Sequence, residues 1–201
     1  MKKSIIVALF CFFGLTQINA QVTFRPGVKA GLNFSHFTKG DNYNSYDPYG
    51  NYSNQSRRNF DTKTDFYIGL YGALKLSRFY TLQPEINYSR QGASYDYVVN
   101  NQARTQKLDV SYLSLGIANK FTFDKFNFHV GPTIDFVVED NFDPDSEVDL
   151  AFFLGAGYNF TKNFGIEARI KKGIVPVLDF SDSNHTNVVI QTGITYTFDV
   201  K

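Results

Sequence analysis

In "FNFHVGPTIDF", residues 126–136, His129 and Asp135 stand an even number of positions apart with apolar residues on either side. In "GIEARIKK", residues 165–172, Glu167, Arg169 and Lys171 alternate with Ile166, Ala168 and Ile170. An imidazole, carboxylates, a guanidinium and an ammonium are the groups of proton transfer and ion pairing. Even spacing puts them on one face of an extended strand, opposite the apolar set. Lys29 in "VKAGLNFS" and Glu85 in "LQPEINYS" hold equivalent positions. If that face is enclosed, such charges are costly unless paired and hydrogen-bonded. The expectation is therefore a structural polar network of Lys29, Glu85, His129, Asp135, Glu167 and Arg169, with Lys75, Lys120 and Lys171 enclosed beside it.

Other chemistry is less well supported by spacing. The three histidines are His36, His129 and His185, with Ser35, Ser181, Asp182 and Ser183 nearby, but no nucleophile motif accompanies them. The chain is read as a non-enzyme with no cofactor and no metal site. The acidic stretch "EDNFDPDSEVD", 139–149, offers oxygen ligands but lacks the spacing and glycine of an EF-hand loop, so a solvated loop is expected. "NYNSYDPYGNYSNQSRRNF", 42–60, is rich in Tyr, Asn and Ser, a composition that suits adaptable recognition as well as plain loops. Tyr43, Tyr46, Tyr49, Tyr52, Arg57 and Arg58 are its candidates for surface recognition.

The elements that must position these residues are strands. Alternation of apolar with small or polar residues recurs eight times between Val28 and Phe198. The connections alternate too: long at 38–63, 99–106, 139–147 and 173–186, short at 77–78, 124–125 and 161–163. This predicts an all-β, eight-stranded antiparallel up-and-down barrel that crosses a membrane, with long loops outside and tight turns, together with both termini, on the periplasmic side. In a bilayer every backbone N–H and C=O must be bonded within the protein, so only a closed sheet survives. Lipid then takes the apolar face and the polar face is enclosed, filled by side chains because eight strands leave little room. Phe79, Tyr80, Phe121, Phe123, Phe126, Phe160, Phe164 and Phe198 gather beside the short turns, as a belt at the hydrocarbon–headgroup boundary would. Pro84 and Pro132 cannot donate to a ladder, which predicts bulges or unpaired ends near that rim. Val110 and Tyr112 are out of step with Leu113 and Leu115, which predicts a bulge near Tyr112 or Leu113, or a switch outside the membrane zone.

Bulk properties agree with an exported chain. Residues 1–20, "MKKSIIVALFCFFGLTQINA", have the layout of a secretory signal peptide with cleavage after Ala20, which leaves 21–201 as the barrel domain. Cys11, the one cysteine, lies within that segment, so disulfides and Cys-based metal sites are not expected. Without Lys2 and Lys3 the 20 basic residues fall to 18 against 19 acidic ones, a near-neutral balance that argues against nucleic acid as a partner. The chain holds 21 Phe and 13 Tyr at a mean hydropathy of −0.25, which suits strands that meet lipid through alternate residues.

"LQPEINYSRQGA", "YLSLGIANKFTF", "FHVGPTIDF" and "GAGYNFTKNFGIEARIKKG", with "GVKAGLNFS" as a first strand, resemble the PorT-like outer-membrane β-barrel family of Bacteroidota. The resemblance implies an eight-stranded outer-membrane barrel and carries no catalytic motif. It departs at the end of the chain, where Phe198 is followed by Asp199-Val200-Lys201 rather than closing on an aromatic residue. The combined expectation is a structural or surface-binding barrel acting through its long loops, in contact with outer-membrane lipid and lipopolysaccharide and assembled by the barrel-assembly machinery. The alternatives are a barrel component of a protein-export or envelope machine, with an envelope protein as partner, and a lipid-modifying enzyme.

Overall fold

The structure, a computed structural model, describes residues 22–38, 44–46, 52–54, 60–99, 102–142, 144–176, 178–180 and 183–200. Its strands are β1 (Thr23–Phe37), β2 (Asn44–Tyr46), β3 (Tyr52–Asn54), β4 (Asp61–Lys75), β5 (Tyr80–Val99), β6 (Gln102–Phe123), β7 (Phe126–Asp140), β8 (Val148–Asn159), β9 (Phe164–Gly173), β10 (Leu178–Phe180), β11 (Ser183–His185) and β12 (Asn187–Thr197). Eight of them close an antiparallel barrel in the order β1-β12-β9-β8-β7-β6-β5-β4, while β2–β3 and β10–β11 are separate hairpins. Each barrel strand pairs with its neighbour in the chain, and β12 returns to β1 from Gly27↔Thr197 to Phe37↔Asn187. The signal-peptide reading of 1–20 lies outside the described residues.

The two faces are chemically opposite. Leu70 and Leu154 are 61% and 65% exposed on the outside, whereas Lys29 and Asp135 are 2% and 1% exposed inside. The apolar band of β7 runs from Phe126 to Phe136. At about 3.4 Å per residue and a tilt of about 40°, that stretch rises about 26 Å, the height of a bilayer's hydrocarbon band. The rings beside the short turns, exposed except for half-buried Tyr80, meet in pairs: Phe79–Phe123 at 6.0 Å, Tyr80–Phe121 at 5.3 Å, Phe160–Phe164 at 5.9 Å and Tyr196–Phe198 at 5.2 Å. Asp199, beyond the last aromatic residue, is held by Arg25 of β1 at 2.6 Å and by the Asn163 side chain at 3.0 Å. The polar tail thus fastens the barrel seam below the belt.

Three expectations from sequence need correction. The stretch 99–106 is mostly strand, because β5 and β6 run on as a ribbon to Val99↔Gln102; their outer ends are polar, so hydropathy marked a loop where pairing continues. Pro84 and Pro132 produce no bulge. The β4–β5 ladder is broken between Tyr71↔Glu85 and Leu74↔Leu82, and the β6–β7 ladder between Gly116↔Thr133 and Asn119↔Val130, but the register is the same on both sides of each gap. The missing N–H points to where the neighbour would accept, and the strands absorb it without inserting a residue. The irregularity expected near Tyr112 is present, although β6 itself keeps one phase: Leu108, Val110, Tyr112, Ser114 and Ala118 all point inward. What changes is the chemistry of the interior, and the register slip falls on β7, where Ser111↔Glu139 is followed by Tyr112↔Val137. Lys75 is exposed at the end of β4 instead of enclosed.

A slip also separates Thr62↔Ala93 from Tyr67↔Ser89 in β4–β5. There β1 side chains replace the lost ladder. Asn33 donates to Phe66 O at 3.1 Å and Arg90 O at 2.6 Å, and Ser35 Oγ donates to Gly92 O at 2.8 Å while accepting Gly92 N–H at 2.9 Å. Gly92 has φ 144°, a conformation that side-chain-bearing residues rarely adopt.

Candidate functional site

Three strands bring the enclosed charges together. Lys29 comes from β1, Glu85 from β5, and Glu167 and Arg169 from β9. Arg169 grips Glu85 with two parallel bonds, Nη1 to Oε2 and Nη2 to Oε1, each 2.7 Å. Its Nη2 also donates to Glu167 Oε2 at 3.1 Å. Lys29 Nζ donates to Glu85 Oε2 at 2.5 Å and lies 3.6 Å from Glu167 Oε1, and Gln83 adds a bond to Glu85 Oε1 at 2.8 Å. Two cations face two carboxylates, so the cluster is neutral. In the ring order β5 and β9 lie on opposite sides, so the Arg169–Glu85 fork spans the lumen. The bidentate fork suits the planar guanidinium, which also lies 4.6 Å from the Phe153 ring.

Not every residue singled out from sequence joins this cluster. Asp135 accepts from Lys171 Nζ at 2.5 Å, a separate pair nearer the loop end. Among the described residues His129 makes no ion pair; its Nδ1 lies 3.2 Å from Asn127 Oδ1 and its ring 6.1 Å from that of Phe153. Gly155, opposite both His129 and Arg169, is required, since a Cβ there would collide with the imidazole and with the Arg169 stem. Tyr43, Tyr49, Arg57 and Arg58 lie outside the described residues, and Tyr46 and Tyr52 are placed only as backbone partners in the β2–β3 hairpin.

Of the residues near the histidines, Ser181 and Asp182 lie outside the described residues. Ser35 is bonded to Gly92 rather than to a histidine. His185 is buried, its Nδ1 2.6 Å from Thr38 O and its ring 5.1 Å from Phe60. Among the described residues no three His, Cys, Asp or Glu side chains form a group able to hold a metal ion. Asp149, from the acidic stretch, turns inward and accepts the Val175 N–H at 3.1 Å.

One feature escaped the sequence reading. Phe37, Phe60, Ala93 and Leu108 form a buried apolar cluster at the loop end, with Tyr95 and Phe142 against it. Phe37 meets Phe60 at 5.5 Å and Phe142 at 6.3 Å. Beyond the bilayer the outside of the barrel is wet, so the apolar residues turn inward. The inward phase of Leu108, Val110 and Tyr112 was the signal that could have located it.

A closed eight-stranded sheet, greasy outside and charged within, defines a transmembrane β-barrel. The chain belongs to the family described as outer membrane protein beta-barrel domain, whose profile matches residues 16–179, and its place is the outer membrane among lipid and lipopolysaccharide. Neisserial surface protein A has the same fold, with a TM-score of 0.52 at 13% identity over 89% of this chain and all of that one. OprG of Pseudomonas aeruginosa matches at 0.48 and 13% identity over 90% of this chain and 99% of its own. Ail of Yersinia pestis, solved with the heparin analogue sucrose octasulfate, matches at 0.47 and 11% over 87% and 99%. Among curated proteins, none matches the chain in sequence.

Proposed function

We propose that this is a PorT-like, non-enzymatic barrel that serves as a structural or surface-binding protein through the segments at its loop end. The observation that carries this is the Arg169–Glu85 fork across the lumen, which leaves the interior to structure and the loop end to recognition. On this reading residues 1–20 are a signal peptide, the barrel-assembly machinery inserts 21–201, and both termini and the short turns face the periplasm. The Tyr-rich segment with Tyr43, Tyr46, Tyr49, Tyr52, Arg57 and Arg58 is then displayed outside. A cysteine placed at Ser53 should react with an impermeant maleimide on intact cells, and one placed at Ser77 should not. The reverse pattern would invert the topology. Binding of the pure barrel to envelope or host surfaces should fall when those four Tyr and two Arg residues become Ser, with the barrel still folded; equal binding would refute the loop assignment.

A second reading, a docking component of an export or envelope machine, draws on the β5–β6 ribbon. Among the described residues, β5 past Ser94 and β6 before Lys107 form ladders only with each other, Asn141 capping β6 at Lys107 and Asp109, which leaves the ribbon's outer edges open to an added strand. Purification from gently solubilised membranes should then yield a stoichiometric partner, and a lone barrel would favour the first reading.

A further inference from the structure

At the short-turn end of the barrel lies a cavity of about 650 Å³ whose lining includes Arg25, Lys75, Lys120, Lys125, Lys162 and Asp124. Its charge is unlike that of the lumen above. There Lys29 and Arg169 are matched by Glu85 and Glu167, and Lys171 by Asp135. In the vestibule only Arg25 is matched, by Asp199. Among the described residues, none of Lys75, Lys120, Lys125 and Lys162 makes an ion pair with a carboxylate. Lys120 is the most telling of the four. It holds an inward position on β6, between Thr81 and His129 on the flanking strands, and is partly buried.

Like charges around one mouth repel, and a low-dielectric wall strengthens their field and draws counter-ions into the opening. Thr81, Thr122, Thr161 and Thr197 bring hydroxyl donors to the same lining. We propose that this vestibule binds a multivalent oxyanion, a soluble compound carrying clustered phosphate groups. Ammonium groups from four separate parts of the wall, β4, β6, the turn after β6 and the turn after β8, suit several negative oxygens better than one. The bound group sits within the ring of the wall, whereas lipid headgroups lie outside it, beside the exposed Phe123 and Phe160. On the orientation proposed above this mouth opens to the periplasm, but the binding itself does not depend on that orientation.

The test uses the full mature barrel refolded in phosphatidylcholine vesicles, with pyrophosphate as probe and sodium chloride at matched ionic strength as control. Calorimetry should show saturable binding to one site. Lys120→Gln should weaken it about tenfold, the size of one charge-assisted hydrogen bond, and Lys75→Gln with Lys120→Gln should weaken it further. Lys172→Gln, on the exposed outer face of β9, should leave it unchanged. Because Lys120 makes no ion pair among the described residues, its variant should keep the mobility shift on boiling that marks a folded barrel. No saturable binding, or equal weakening by Lys172→Gln, would overturn the site. In a parallel arm without pyrophosphate, vesicles containing phosphatidylglycerol should leave the amide resonances of Lys120 and Thr122 in place. A shift there would assign the phosphate to the leaflet and defeat the soluble-anion reading.

Discussion

Glu85 is the residue on which the interior charges converge, since it accepts from Lys29, Gln83 and both arms of Arg169. Truncating it leaves two buried cations with a single carboxylate, Glu167, between them. Glu85→Ala should therefore cost about 3–5 kcal/mol, read as a lower urea midpoint of the folded band on gels. Replacing the fork as a pair, Glu85→Met with Arg169→Met, should recover most of that loss, because two apolar side chains leave fewer unmet charges. If the pair is as unstable as the single variant, the fork is not what couples the two sites. Alternation alone put Lys29, Glu85, Glu167 and Arg169 on one face. It could not say that β5 and β9 lie opposite in the ring, nor that Asp135 would choose Lys171, because partners across a lumen depend on strand order and register rather than on spacing. His129 shows the same limit, since a polar side chain in phase with charges is held by Asn127 and Phe153.

At the scale of the strand, the outward face of the membrane zone is the constraint. Leu70 on β4 and Ile134 on β7 are both exposed in the middle of that band. Leu70→Arg or Ile134→Arg should lower folding stability by about 2–4 kcal/mol if the position is at the bilayer midplane, measured by vesicle refolding yield. Normal refolding of both would mean that these faces do not meet lipid. Strand existence and phase could be read from sequence because lipid enforces period-two alternation over each crossing. Strand ends could not. Once β5 and β6 leave the bilayer, the solvent no longer demands an apolar exterior, and the polar run from Gln102 to Lys107 is compatible with either ribbon or loop. The Phe37–Phe60 cluster follows from the same change of solvent. Phe60→Ala should cost about 3 kcal/mol locally, seen as faster amide exchange at Phe37 and Leu108, while Glu85 and Gly116 stay protected.

For the whole molecule, the question is whether anything passes through it, and two barriers in series stand in the way. The first is the fork from β9 to β5 at mid-lumen. The second is the aromatic cluster at the loop end, where Phe37 of β1 meets Phe142 after β7, again from opposite sides of the ring. One barrier is ionic and the other apolar, so no single change in salt or pH removes both. The wild-type barrel in a planar bilayer should show no steady conductance. Removing the fork with Glu85→Ala and Arg169→Ala should leave it silent, since Phe37, Phe60 and Phe142 still exclude water. Adding Phe37→Ala and Phe60→Ala to that background should open steps of cation or anion current, because only then does a wet path join both mouths. Steady current from the wild type would mean that the fork does not seal the lumen, and the assignment of function to the loop end would lose its main support. Current from the fork variant alone would spare that assignment and show that the aromatic cluster is no barrier to ions.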